Sequence, residues 1–563
     1  MARRAHAYPQ VMPTAADLVD GTLLAAPPAL SATDAARLGR RRGVEVLAAG
    51  DGCWVLREDA ARADALGVGT LPIRRLARPL PVVTPRDSEI VVRRHLAGGA
   101  PAVIVARGRA PLGVVRRAPA PVVISMQARF ERSLDAESRD LLGLVGRLAA
   151  DHGGRAFAVG GLVRDAWLGR DAAHHDLDVV VEGDARLVAR ALADARGGTL
   201  VEHERFLTAS VALPGGRRVD VVTARSERYE EPGALPRVMP AAIAQDLRRR
   251  DFAANAMAVE LASGTFGLLD PLGGAADVAR RRLRVLHPLS FVEDPTRILR
   301  AARYAARLDF ALDPWSARAR ALALELVPYA ALSAARIVAE LERTLAEATA
   351  AGALVGLARA GAFRLLAPRH RAGRATLARL GALPDTLAWA RVHAVAAPPL
   401  EVLAVALTAD QPDDVAVATL RGLGLKGGPL SRVRDALATM PAVQERLASA
   451  RRPSEEALVV REAGATTMAW LHLAGDAASR ARLERVLAAE PTARPALGGD
   501  AVLELGVTRG PDVAAVLGAL RDARVDGEIH DRQGEIDYVK AWLAKRTTDR
   551  KGLTPLSDSF QEG

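Results

Sequence analysis

Asp176 and Asp178 stand at the start of an otherwise apolar run, Leu177 to Val181, where an ordinary buried strand would carry no charge. Side chains alternate along a strand, so both carboxylates point to one face. Two like charges placed in this way repel unless a cation sits between them. Hard oxygen donors of this kind suit Mg2+, which is usually held by a few carboxylates and the phosphates of a substrate. Asp220 lies on a second apolar run, Val219 to Val222, read as running alongside the first. Three such carboxylates are the usual means of holding two ions about 3.5–4 Å apart, one activating an attacking hydroxyl and one holding a triphosphate and its leaving pyrophosphate. Just upstream, Gly160 and Gly161 lack Cβ atoms, so their N–H groups can approach a phosphate, and Arg164 adds a cation. Surface turns often contain D-x-D alone. Gly-Gly, Arg and D-x-D in one short window are far more specific.

Two later stretches add donors and acceptors. In "DLRRRDFAANAMA", Asp246 to Ala258, Asp251 offers a carboxylate to a ribose hydroxyl, and Asn255 lies four residues on, placed to orient it. In "EDPTRILRAARYAARL", Glu293 to Leu308, Asp294 and Arg297 are three apart on a helix and therefore neighbours. Such a pair presents acceptors and donors in fixed geometry and is able to read the edge of a base. Arg297, Arg300 and Arg303 recur every third residue and form a stripe.

"GGLVRDAWLGR" followed by "DLD" resembles the signature of the class II nucleotidyltransferases, the family of tRNA CCA-adding, A-adding and CC-adding enzymes and bacterial poly(A) polymerases. The further motifs follow in family order. "DLRRRDFAANAMA" is similar to the ribose-recognition motif, "DPLGGAADVARRRLRVL" from Asp270 to the connector into the neck, and "EDPTRILRAARYAARL" to the base-recognition helix. The resemblance runs from about 155 to 345. It implies catalysis by Asp176, Asp178 and Asp220, with Mg2+ on Asp176 and Asp178. It implies nucleotide binding by Gly160, Gly161, Arg164, Arg250, Asp251, Asn255, Asp294, Arg297, Arg300 and Arg303. Arg250, Arg300 and Arg303 would sit by the triphosphate, and Asp294 with Arg297 would select C or A. Ala253 stands where the family usually has Thr, which leaves the local hydrogen bonding open.

The implied activity is addition of the 3′-terminal CCA, or only the terminal A, to tRNA from CTP and ATP. The alternatives are a poly(A) polymerase and a catalytically silent RNA-binding or adenylate-sensing protein. Glu202 to Val238 resembles the tRNA branch, and the Arg- and Phe-rich signature of many bacterial poly(A) polymerases is absent. Ala224 to Gln245 is similar to a flexible loop that CC-only members lack, so CC-only activity is not expected. Gly498 to Leu543 is similar to the family tail, with Gly510-Pro511 ahead of a helix starting near Asp512. Free N–H groups there would suit a tRNA backbone phosphate. His175-Asp176 and His530-Asp531 do not make a second, phosphohydrolase-like site, because the helical half lacks the further His and Asp residues that chemistry needs.

The elements that must position these residues are read from pattern. The expected fold class is α+β and multidomain. Residues 1–122 form a CBS-like pair, 127–272 an α/β nucleotidyltransferase head, and 273–348 a helical neck with the base-recognition helix. A helical body at 349–490, a helical tRNA-binding tail at 491–545 and a disordered end at 546–563 complete the chain. The first segment contains a weak repeat, Leu30 to Asp59 and Val83 to Arg117, each with a Ser or Thr and an Asp three residues on, as at a helix start. It resembles a pair of CBS motifs, which implies an adenine nucleotide as ligand. "RAPAPVV", Arg117 to Val123, reads as a linker, and residues 127–155 as one amphipathic helix.

Bulk composition agrees. Net charge is +11, carried mostly by Arg, which suits bidentate phosphate contact and a polyanionic partner. The single cysteine, Cys53, excludes an internal disulfide and a Cys-rich zinc site. No apolar run is long enough to span a bilayer, and the basic N-terminus lacks the apolar core of a signal peptide. A cytoplasmic protein with no membrane partner is therefore expected.

Overall fold

The N-terminal repeat folds as two halves that share the order strand, helix, strand, strand. The first half comprises β1 (Leu23–Ala25), α1 (Ala32–Arg42), β2 (Val46–Ala48) and β3 (Cys53–Leu56), and continues into α2 (Arg57–Ala65). With β4 (Arg78–Pro79) its strands form a sheet of order β1-β2-β3-β4. The second half comprises β5 (Val82–Val83), α3 (Glu89–Ala97), β6 (Val103–Arg107) and β7 (Ala110–Val115), with sheet order β5-β6-β7. The two halves share one core in which Val46, Trp54 and Leu56 meet Ile104 and Val114. Ser31 caps α1 by accepting the Asp34 N–H, as its spacing predicts. In the second half the matching pair does something else. Asp87 accepts the Thr84 N–H and closes a turn, and the helix begins only after Ser88.

This computed structural model describes residues 13–50, 52–116, 124–171, 176–203, 207–262 and 266–551, the last six of these by backbone only. The linker at 117–123, His174 and His175 lie outside the described residues.

The α/β part is built on an eight-stranded sheet of order β11-β12-β13-β10-β9-β16-β17-β8. It opens with β8 (Ile124–Ser125), then α4 (Gln127–Ser133) and α5 (Ala136–Asp151). The single helix expected over 127–155 is thus two helices. The break falls at Asp135, whose carboxylate caps α5 by accepting the Ser138 N–H at 2.7 Å. There follow β9 (Arg155–Val159), α6 (Gly161–Trp167), β10 (Leu177–Glu182), α7 (Ala185–Arg196), β11 (Thr199–His203), β12 (Thr208–Ala212) and β13 (Arg218–Thr223). The β-branched run Val179–Val181 places β10 mid-sheet, antiparallel to β9 and parallel to β13. Val180 packs into a core with Phe157, Val159, Leu247 and Ala258.

Next come the hairpin β14 (Arg225–Arg228) and β15 (Arg237–Pro240), α8 (Ile243–Arg248), β16 (Ala258–Glu260), β17 (Gly267–Leu269) and α9 (Gly274–Ala279). The helices α10 (Ser290–Glu293), α11 (Thr296–Leu308), α12 (Pro314–Glu325) and α13 (Ala334–Leu345) complete this part. All of it, from the repeat to α13, belongs to one unit made of Met1–Thr349 and Ala360–Pro368.

The second unit, Ala350–Arg359 with Arg369–Gly563, is helical. Its last helices, Pro511–Val525 and Arg532–Lys551, pack around Val502, Val516, Leu520 and Val539. The final helix runs to Lys551, across the start of the stretch expected to be disordered; residues 552–563 lie outside the described residues. No helix among the described residues is long and apolar enough to cross a membrane.

Candidate active site

Strand β9 turns into α6 through Gly160, at φ 69° and ψ −129°. A Cβ there would lie 3.2 Å from Arg250 Nη1, so glycine serves both the backbone and the close approach. Gly160 and Gly161 line a cavity of about 570 Å3 together with Asp178, Arg250, Asp251, Asn255, Asp294, Arg297 and Arg300. Residues far apart in the chain thus meet at one site.

One wall is the sheet. Asp178 on β10 is the register partner of Asp220 on β13, and Asp176 precedes β10 by one residue. Enclosure by protein pushes the Asp178 carboxyl up, and the charges of Asp220 and Asp176 push it further, against Arg250 and Arg218. Asp220 Oδ1 accepts from Ser210 Oγ at 2.5 Å and from Arg218 Nε at 2.8 Å. Among the described residues, no three acidic, His or Cys groups gather into a ready metal cluster. The proximity of Asp176 to Asp178, seen in the charge that Asp176 lends to the surroundings of Asp178, fits a divalent ion held by those two carboxylates with substrate oxygens. Asp220, already engaged by Arg218 and Ser210, acts on them as a neighbouring charge.

The other wall is made of α10, α11 and the turn after α8. Asp251 Oδ1 accepts the Phe252 N–H at 2.8 Å and Asn255 Nδ2–H at 3.1 Å, and Oδ2 is 2.6 Å from Arg300 Nη2. Those cations and donors hold its carboxyl below the usual range although burial alone would raise it. Asp251 Oδ2 is buried and, beyond its ion pair with Arg300, has no hydrogen-bond partner among the described residues. Asn255 sits on a 3-10 turn, Ala253–Asn255, not on an α-helical face, yet reaches Asp251. Arg297 is buried at the base of this wall. It donates to Ser290 Oγ at 2.7 Å, to the Arg249 carbonyl at 2.9 Å and to Tyr229 Oη at 3.4 Å.

Four expectations need correction. Arg164 is not a free cation at the phosphates: it is 1% exposed, forks onto Asp165 and donates to Asn255 Oδ1 at 2.6 Å. It supports Asn255 from beneath. Arg303 turns from the cavity and pairs with Glu340 and Glu347, both at 3.0 Å. Asp294 lies before α11, outside the helix, so the expected three-apart ion pair with Arg297 is replaced by one with Arg336 of α13 at 2.8 Å. Ala224 to Gln245 is not a loop but the β14–β15 hairpin and the start of α8.

That hairpin brings Arg225, Glu227 and Tyr229 to the cavity, none of which was singled out from sequence. The Pro- and Gly-containing turn "EPGALP" was the only sequence signal for it. Arg336, some forty residues beyond Asp294, had no local signal.

A glycine turn after a central strand, paired acidic strands and an Arg-lined helix wall are the features of a nucleotidyltransferase head. The family described as Poly A polymerase head domain matches residues 156–284. In that head the chain is similar to the class II tRNA nucleotidyltransferase and poly(A) polymerase family. It is 31% identical over 417 residues to an A-adding tRNA nucleotidyltransferase of Geobacter sulfurreducens, covering 67% of this chain and 46% of that protein. It is 49% identical over 152 residues to a CC-adding tRNA nucleotidyltransferase of Deinococcus radiodurans, covering 27% and 40%. The chain therefore spans half or less of the length of these relatives. Among solved structures, a Thermotoga maritima CCA-adding enzyme complexed with tRNA matches with a TM-score of 0.63 at 26% identity, over 75% of this chain and all of that one.

Proposed function

We propose that the protein adds nucleotides to the 3′ end of tRNA, either the whole CCA or only the terminal A, from CTP and ATP. The observation that carries the reading is the meeting, in one cavity, of Asp178 from the acidic strand pair with the hydrogen-bonded Asp251, Arg297 and Arg300 of the opposite wall. In the reaction the terminal ribose 3′-oxygen attacks the nucleotide α-phosphorus. A P–O bond forms, the bond to the β-phosphate oxygen breaks, pyrophosphate leaves and the hydroxyl proton passes to solvent. Nucleotidyltransferases of this family use divalent metal ions; Asp176 and Asp178 would hold Mg2+, which neutralises phosphate charge and makes the 3′-hydroxyl more acidic.

The chain's own residues position the partners, which is most of the catalysis in phosphoryl transfer. Gly160 and Gly161 leave room for the phosphates, and Arg250, beside Gly160 and paired to Asp246, supplies a cation there. Asp251, steadied by Asn255, accepts from the ribose. Asp294 and Arg297 face the base from the other wall. Arg300 supports Asp251 and reaches the same space. The N-terminus of the helix at Gly510-Pro511 is the candidate contact for the tRNA backbone. The N-terminal repeat is the candidate adenine-nucleotide module, tested by ATP and AMP titration of the full chain.

The test uses tRNA transcripts ending before CCA, after C and after CC, each with Mg2+ and CTP, ATP or both. Growth of the first by three nucleotides is the CCA result. Growth of only the CC-ended transcript by one A is the A-adding result. A long ladder on any RNA would replace this reading with a poly(A) polymerase, and no extension would overturn it.

A further inference from the structure

Arg62 belongs to α2 of the N-terminal repeat, yet its Nη1 donates to Glu293 Oε1 at 2.9 Å, 231 residues along the chain. Glu293 ends α10, and its side chain is 6% exposed. Its second oxygen, Oε2, is 3.2 Å from His287 Nε2 and 4.0 Å from Arg297 Nη1. Burial alone would raise this carboxyl, but His287, Arg62 and Arg297 together hold it well below the usual range. A buried carboxylate that loses one of its cations must be repaid by its neighbours, and Arg297 is one of them.

The residue after Glu293 is Asp294. Asp294, Thr296 and Arg297 line the 570 Å3 cavity, whereas Arg62 and His287 line a second cavity of about 540 Å3 between the repeat and the head. A single peptide link joins the group that faces the repeat to the group that faces the nucleotide. The repeat is also closely seated. A Cβ on Gly99 would lie 2.1 Å from the Leu272 carbonyl oxygen, and one on Gly273 2.4 Å from the Gly98 carbonyl carbon, so the two backbones touch where only glycine fits. Arg62 thus approaches Glu293 from a fixed base.

We propose that Arg62 is a positioning residue for nucleotide selection. It anchors Glu293, and through Glu293 it sets the placement of Asp294 and Arg297. This rests on the proposed function of the head. A docking role without influence on selection is the competing account, and a second docking pair separates the two. Arg75 of the same repeat pairs with Glu325 of α12, and neither residue lines either cavity.

The experiment compares the full-length protein with R62Q, R62K and R75Q. It measures ATP and CTP binding at equilibrium, and kcat and KM for each nucleotide on tRNA. In R62Q the KM for the preferred nucleotide rises, and its preference over the other falls, by about tenfold, the usual scale for a residue that couples without contact. KM for tRNA stays unchanged, R62K recovers most of the loss, and R75Q behaves as wild type. The inference is overturned if R62Q matches R75Q in nucleotide affinity and preference. If the wild type binds nucleotides but adds none, the function fails while the binding comparison still decides the role of Arg62. A wild type that bound neither nucleotide would overturn both.

Discussion

On the strand side of the cavity, Asp178 faces Asp220 across a parallel register with Asp176 close by, and enclosure by protein, aided by those two charges and opposed by Arg250, pushes the Asp178 carboxyl up. On the helix side, Asp251 is held down by Arg300 and Asn255, and Arg297 donates to Ser290, Arg249 and Tyr229. On the proposed reading, the first wall is the place where a cation and a polyphosphate would gather. The second is largely paired within the protein, so its geometry is set by its own ion pairs and hydrogen bonds. Rigid, pre-paired donors suit recognition, and unrelieved charge suits the place where the transferring phosphate is gathered.

The contrast is broken most directly at Asp178. Removing its charge relieves repulsion, so D178N should melt at or slightly above the wild-type temperature while nucleotide addition falls by about three orders of magnitude or more. Near-normal extension by this variant would remove the acidic wall from the chemistry. A smaller effect is expected from R297K, which keeps the charge but loses the planar fork. Discrimination between CTP and ATP should drop about tenfold, and urea unfolding should show a loss of about 1–3 kcal/mol from orphaned partners. If selection survives and only stability falls, the helix wall is scaffold.

At the junction of the two walls, G160A forces a side chain onto positive φ beside Arg250. We expect a cost of about 1–3 kcal/mol and a lower thermal midpoint, with an increase in nucleotide KM. An unchanged midpoint would mean that the turn relaxes freely. Smallest is the effect at Asp135, which does not line the cavity. The Ser138 N–H, with Arg217, holds its carboxyl down at about 2. A depressed carboxyl stabilises the fold above its unfolded value, about 3.9, and loses that contribution as pH falls toward the folded value. The thermal-midpoint advantage of wild type over D135N should therefore shrink from pH 4 downward, with nucleotide kinetics at neutral pH unchanged.

Much of the site was legible because its parts are local. The apolar run put Asp178 on β10 with Asp176 one residue ahead of it, the Gly-Gly pair marked the turn, and Asn255 reaches Asp251 from four residues away through a 3-10 turn. Misreadings came where a side chain had a distant partner. Arg164 looked free in sequence but is claimed by Asn255, 91 residues on, and Asp294 by Arg336, 42 residues on. The hairpin at 225–240 was misread because its tip, rich in Pro and Gly, resembles an open loop until the two strands pair.

By itself the sequence determined which residues have the chemistry for nucleotidyl transfer and on which short elements they lie. Caps, strand periodicity and glycine backbone freedom act within a few residues, so they are written in short windows. Only the tertiary structure decided which charges stay open to the cavity and which are spent on one another. That choice depends on side chains brought together by the sheet and by the seating of the repeat, as when Arg62 meets Glu293. A charge's partner is set by distance in space, which spacing along the chain does not encode.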